Sequence, residues 1–157
     1  ATTIQFDFNL PRRFDIEYVT ADGTREYVYM IHRALFGSLE RFIGTLTEHY
    51  AGEFPLWLAP VQARILPITH AHHGYAARCV ELLREAGIRA EGDFREEKIG
   101  YKIRDAELKK IPYMAVVGGR EEQEGTVDVR SKAAGRLGTK KIDEFITELV
   151  DESGKRT

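Results

Sequence analysis

Three stretches of this sequence combine residue types whose spacing could do chemistry. In His32-Arg33-Ala34-Leu35-Phe36-Gly37-Ser38-Leu39-Glu40-Arg41 a β-rich run leads into a helical pattern whose first turns carry Gly37 and Arg41. A small residue lets a flat ligand approach the backbone, and a nearby guanidinium stacks on a purine or pairs with phosphate. On periodicity alone the plainer reading stands, with Arg41 a surface residue and His32 a packed or solvated histidine at a strand end. From Arg130 to Lys141 the chain carries Arg130, Lys132, Arg136, Lys140 and Lys141 with no acid, beside Gly135 and Gly138. Such a cationic strip attracts phosphates, with an effect that weakens in salt; the bland alternative is a solvated loop. In Thr69-His70-Ala71-His72-His73, three histidines in four residues can bind nickel or zinc adventitiously. No acid or cysteine at ligand spacing accompanies them, so a physiological metal role is not expected. Cys79 lies on an apolar stripe and reads as core rather than nucleophile. The chain has no Ser/His/Asp set and no phosphate-cradling glycine motif, and Gly118-Gly119 reads as a strand-to-loop turn.

The elements that must position these groups fall into two kinds. Ile4 to Phe8 alternates apolar and polar residues, the two-residue period of a half-buried strand, and Asn9-Leu10-Pro11 breaks it. Asp15 to Met30 reads as a hairpin around an Asp22-Gly23 turn. From Ala34 to Tyr50 the spacing of Leu35, Leu39, Phe42, Ile43 and Leu46 predicts a helix, stopped near Gly52. A domain boundary is expected near residue 53. Beyond it, strands over Gln62–Ile68, Ile88–Gly92, Pro112–Val117 and Thr126–Arg130 are expected. Helices should cover Gly74–Ala86 and Lys98–Lys110, the latter with Ile99, Ile103 and Leu108 inward. A last helix is capped by Thr139 and carries Phe145 and Leu149, with Asp151 to Thr157 a frayed tail. A β-α-β-α-β-β-α order predicts an α/β layer structure with a mainly parallel sheet.

Composition narrows the function. The 157 residues are 43% hydrophobic and 10% aromatic, enough for a real core, so disorder is not expected. The 23 basic and 25 acidic side chains give a net charge of −2, so any nucleic-acid contact must come from a local patch. A single cysteine makes no disulfide framework and points to a reducing compartment. The apolar runs are too short for a membrane span. An opening at Ala1, without Met and inside a strand-like pattern, suggests a piece of something longer.

The Gly37-Ser38-Leu39-Glu40-Arg41 pattern resembles motif 3 of the class II aminoacyl-tRNA synthetases. The strings Met30-Ile31-His32-Arg33-Ala34, Gln5-Phe6-Asp7-Phe8-Asn9-Leu10-Pro11, Trp57-Leu58-Ala59-Pro60-Val61-Gln62 and Glu97-Lys98-Ile99-Gly100-Tyr101-Lys102-Ile103-Arg104 are similar to the threonyl-tRNA synthetase family in particular. The likeness runs along essentially the whole chain. It implies an α/β fold in which a three-layer anticodon-binding domain with a mostly parallel mixed sheet (residues 54–157) follows an antiparallel β plus helix remnant of the class II catalytic domain (residues 1–53). It implies a cytoplasmic ligase that joins threonine to its tRNA with ATP, magnesium and zinc, and that is a homodimer at full length.

Residue by residue, the resemblance implies that Arg41 contacts ATP, that His32 is one zinc ligand of the amino-acid pocket, and that Gln5 lines the same pocket. A metal anchoring the threonine hydroxyl would reject valine, which cannot fill that coordination position. The family's other two zinc ligands, and its motifs 1 and 2, have no match here, and Ala1-Thr2-Thr3 stands where relatives carry Cys-Gly-Thr. Neither a complete zinc site nor a complete ATP site is therefore expected, and these residues should not aminoacylate alone. What survives whole is an RNA surface. Threonine codons begin AC, so the anticodon ends in G then U, and reading guanine needs acceptors for its N1 and N2 hydrogens or a guanidinium for O6 and N7. Glu121 and Arg130 match positions that contact anticodon bases. Glu96 matches another where relatives often carry asparagine, with Lys98 and Arg104 supporting the backbone nearby. The partner implied is threonine tRNA. A stand-alone tRNA-binding or protein-interaction module of the same descent, without enzymatic activity, is the alternative.

Overall fold

The computed structural model describes residues 2–156. Ala1, on which the opening-strand comparison partly rests, and Thr157, the end of the expected frayed tail, lie outside the described residues. The chain divides into two units, residues 1–49 and 50–157.

In the first unit, strand β1 (Thr3–Asp7) pairs antiparallel with β4 (Met30–Ala34), and β2 (Glu17–Val19) with β3 (Arg25–Tyr27). The expected hairpin forms, but Met30 belongs to β4 rather than to its second arm. A short helix α1 (Leu10–Arg13) follows β1 where only a break was expected; Pro11 sits at its start, where a missing N–H costs nothing. The helix α2 runs over Leu39–His49, five residues later than the apolar spacing predicted. Phe36 and Gly37 take left-handed backbone (φ 62° and 67°), which no helix tolerates, so Gly37 lies in a turn ahead of α2. The Ser38 hydroxyl lies 3.4 Å from the Arg41 backbone N–H. Pro11 is the single buried residue of this unit among those described.

The second unit is built on a five-stranded sheet in the order β6-β5-β7-β8-β9: β6 (Ala90–Gly92), β5 (Ala63–Pro67), β7 (Tyr113–Val117), β8 (Thr126–Ser131) and β9 (Gly135–Lys141). The first two pairings are parallel and the last two antiparallel, so the sheet is mixed in equal measure rather than mainly parallel. The difference is β9, an edge strand with one apolar residue, Leu137, among glycines and cations. Helices α3 (His73–Glu85) and α6 (Ile142–Lys155) cover one face, where Leu83, Phe145 and Leu149 pack on Ile65, Ala115 and Val127. Helix α4 (Ile99–Leu108) covers part of the other, with Ala106 and Ile103 against Leu66, Met114 and Val116. These are three layers in cross-section.

Four expectations fail here. Thr139 is a strand residue, and Lys141 precedes the last helix, which continues through the expected tail to Lys155 because Leu149 still packs. Leu108 is 72% exposed, and Lys102 takes the inward position instead at 2%. Gly118-Gly119 leads not into a loop but into a short helix, α5 (Gly119–Glu124), closed by left-handed Gly125.

Candidate nucleic-acid interface

Because β5, β6 and β7 run parallel, their carboxyl ends lie along one edge of the sheet. Three connections leave from that edge: 68–72 into α3, 93–98 into α4, and Gly118 into α5. Backbone bonds hold them together, with the Ile68 N–H on the Val117 carbonyl and the Asp93 N–H on the Ile65 carbonyl, each at 2.9 Å. The Ile68 side chain approaches Gly118 closely. A Cβ there would stand 2.7 Å from Ile68 Cδ1. Open α/β sheets bind ligands at this edge.

Glu96 and Lys98 are exposed in the connection ahead of α4, Lys98 as the residue that enters the helix. They line a groove of about 400 Å³ together with Thr69, His70, His73 and Lys102. Glu121 joins the same edge from α5. Its Oε2 accepts the Gly118 N–H at 3.0 Å, capping a helix whose N-cap glycine has no side chain to do so. His72 pairs with Glu122 at 2.8 Å, and the His73 ring meets the Phe94 ring edge-on at 5.2 Å. The His70 ring meets that of His73 edge-on at 6.4 Å, and no group of three metal-ligating side chains occurs among the described residues.

Arg130 is placed differently. It pairs with Met114 across β7–β8, four residues along the strand from Gly118. At about 3.3 Å per residue, that separates its backbone from the Glu121 end by roughly 13 Å. It lies on the sheet face of Met114, opposite the α3/α6 side that Val127 and Val129 fill, and no residue of β8 joins the α4 core. Its directly opposed neighbour on β9 is Arg136, past a bulge at Val129/Arg130. Like charges in that position repel. Arg136 is drawn instead to Asp128 at 3.0 Å, and the Arg130 guanidinium has no ion pair or hydrogen bond among the described residues. Of the rest of the basic run, Lys132 pairs with Glu53 and Lys140 with Glu148, so the strip is a partly neutralised hairpin rather than a solvated loop.

In the first unit, Gln5 and His32 are direct cross-strand partners of β1 and β4, which puts both side chains on one face of the ribbon. His32 Nε2 lies 3.1 Å from Asp7 Oδ2. The Leu10 and Asn9 N–H groups, with His32 adding to them, hold the Asp7 carboxyl below the usual aspartate range. A histidine tied to a carboxylate by one ring nitrogen has the other free for a metal. His32 and Asp7 therefore fit one zinc-ligand position and its orienting group, short of the three protein ligands that a catalytic zinc needs. The Arg41 guanidinium on α2 is exposed and makes no bond to the other two.

Sequence reasoning missed Asp7, Phe94 and Lys102. Lys102 had a signal: it falls on the stripe Ile99, Lys102, Ile103, Ala106, where a charge is out of place.

The second unit is thus a mixed sheet with helices on both faces and an acid- and base-bearing loop edge at its parallel carboxyl ends. Residues 62–152, more than half of the chain, match the anticodon binding domain family, and the chain belongs to it. Residues 1–50 match the class II tRNA synthetase core domain family (G, H, P, S and T). The curated relatives are threonine–tRNA ligases: that of Syntrophomonas wolfei is 57% identical over 150 residues, 96% of this chain and 24% of its own length. That of Aquifex aeolicus is 58% identical over 145 residues, 92% of this chain and 23% of its own. The chain spans about a quarter of the length of these relatives. Among solved structures, the RNA binding domain of threonyl-tRNA synthetase from Cryptosporidium parvum matches with a TM-score of 0.71 and 33% identity, over 96% of this chain and 38% of that one. The resemblance drawn from the Gly37–Arg41 motif and the longer strings is borne out, as is the α/β class.

Proposed function

We propose that residues 54–157, led in by Tyr50–Glu53, bind the anticodon loop of threonine tRNA within a cytoplasmic, homodimeric threonine–tRNA ligase, and that residues 1–53 contribute to its catalytic domain. The observation that carries this is the match of residues 62–152 to anticodon-binding domains, with an unpaired Arg130 and an exposed Glu96–Lys98 edge on that domain. Glu121 and Arg130 read the guanine, one accepting its N1 and N2 hydrogens and the other donating to O6 and N7. Glu96 and Lys98 flank the loop. His32, oriented by Asp7, supplies one zinc ligand, Gln5 faces the same pocket, and Arg41 meets ATP, which the full-length enzyme takes with magnesium. The remaining zinc ligands and the other ATP-binding groups come from outside these residues, so this chain alone binds tRNA and does not aminoacylate it.

Fluorescence anisotropy with a stem-loop bearing the threonine anticodon, against one with a scrambled loop, tests the reading. The true anticodon is expected to bind more tightly, and both to weaken between about 50 and about 200 mM salt. Arg130→Ala should cost about 1–3 kcal/mol with the true anticodon and relax the discrimination. Equal binding of the two loops, unchanged in Arg130→Ala, overturns it.

A further inference from the structure

Lys102 is the largest fully buried side chain among the described residues, 2% exposed, at the floor of the groove between the 68–72 and 93–98 connections. Its ammonium group carries three donors. Two are spent, on the Pro67 carbonyl at 2.9 Å and the Asp93 carbonyl at 3.1 Å. The third has no partner among the described residues, and Lys102 makes no ion pair. The Asp93 carboxylate is bound by Arg95 at 2.6 and 2.8 Å and makes no hydrogen bond to Lys102. A buried ammonium with an unused donor is costly even with the Asp93 carboxylate acting on it through space, and this one lines a groove of about 400 Å³. An anionic oxygen entering there would use the idle donor and relieve that cost.

Beside the groove, packed against its lining residue His73, stands a second feature. Phe94 is 41% exposed although its ring is held in place. One side rests on the Gly92 backbone so closely that a Cβ at residue 92 would fall 2.4 Å from the ring, and its edge meets His73 at 5.2 Å. His73 lines the groove. A fixed, half-exposed aromatic ring is a stacking platform for an unpaired base. Arg95 and Lys98 add positive charge at the rim, with Glu96 and Glu97 as acceptors for a base edge.

We infer that this groove takes one nucleotide of the bound RNA, its phosphate on the idle Lys102 donor and its base against Phe94 and His73. The inference rests on the proposed RNA binding and deepens it: the two contacts are of different physical kinds and separable by salt. Stacking is nearly salt-independent, whereas a phosphate contact on a single strand contributes about 0.7 to the slope of log affinity against log salt.

The test uses the whole chain and the same stem-loop. Phe94→Ala is expected to weaken binding about 5- to 150-fold, the stacking of one base, with the salt slope unchanged. Lys102→Met is expected to weaken binding and lower the slope by about 0.7. Because Lys102 also ties two carbonyls together, its loss can unfold the edge, so a scan of single methylphosphonates through the RNA loop removes charge without touching the protein. One position should reproduce the Lys102 slope change in the wild-type chain. Ordinary RNA binding, with Phe94→Ala and every methylphosphonate within twofold and Arg130→Ala still impaired, overturns the groove and leaves the anticodon reading intact. A wild-type chain that binds no RNA overturns both.

Discussion

The Glu121 carboxylate already accepts the Gly118 N–H, so its use as a base acceptor draws on the same group that caps α5. A carboxylate has two oxygens and about four acceptor sites, enough to hold the cap with one and meet guanine N1 and N2 with the other. An amide does not, since one of its two arms donates. Glu121→Gln should therefore keep the cap through its remaining oxygen, with stability within about 1 kcal/mol of the parent. Its NH2 would face the guanine hydrogens, and affinity for the threonine anticodon should fall about tenfold or more while binding to a loop without that guanine stays level. Thermal melting and anisotropy on the same samples separate the two roles. Parallel loss of affinity for both loops would place Glu121 in the cap alone. Arg130 shows the complementary economy. Its cross-strand neighbour Arg136 is neutralised by Asp128, which leaves the unpaired guanidinium for the proposed contact with guanine.

Elements with a strong local signal were legible. The run Tyr-Met-Ala-Val-Val of β7, buried from Met114 onward, and the Phe145/Leu149 stripe of α6 follow from apolar spacing alone. What was not legible depends on partners distant in sequence. β9 has glycines at positive φ (Gly135, Gly138) and three cations, a composition that reads as loop, and it becomes a strand because β8 offers an open edge. Helix α5 is too short for periodicity and exists because Glu121 caps it. On the site side, the Glu96–Lys98 and Glu121 edge could be anticipated only through family resemblance, since parallel pairing brings those segments together. Gln62 illustrates such long-range stitching. It is 1% exposed, and its Nε2 donates to the Leu56 carbonyl at 2.8 Å and to Ser153 Oγ at 3.1 Å, while its Oε1 accepts the Arg89 N–H at 2.9 Å. One side chain thus ties the entry segment, the β6 approach and α6 to β5. Gln62→Leu keeps the volume and strands a buried carbonyl and a buried N–H. Urea unfolding should show a loss of about 2–4 kcal/mol at unchanged m-value. A loss below about 1 kcal/mol would mean that water replaces all three bonds.

The two units differ in what holds them. Among the described residues, 50–157 contain the buried hydrophobic core, whereas 1–49 bury Pro11 alone and leave Ile4, Phe6, Phe8, Tyr29 and Ile31 more than half exposed. Stability measured on the chain is therefore chiefly that of the second unit, and its pH dependence follows from groups there. Arg95 holds the Asp93 carboxyl below the usual aspartate range, and Lys109, followed by Arg95, does the same for Asp105. Folded, these groups bind protons less readily than they do unfolded. Their contribution is complete above the unfolded value of about 4 and is lost as pH falls through the lower folded values. At the other end, burial pushes the Cys79 thiol and the Tyr75 and Tyr113 phenols up. Those groups cost nothing below their unfolded values of about 8.5 and about 10, and stability falls as pH rises past each of them. Denaturant midpoints should consequently form a plateau from about pH 5 to about pH 8, with an acid limb set by the carboxylates and an alkaline limb set by the thiol and phenols. Asp93→Asn should lower the plateau and flatten the acid limb, leaving the alkaline limb in place. Tyr113→Phe should soften the alkaline limb and leave the acid one untouched. An acid limb as steep in Asp93→Asn as in the parent would show that the Arg95 pair is equally well satisfied by water, and would move the acid sensitivity elsewhere in the sheet edge.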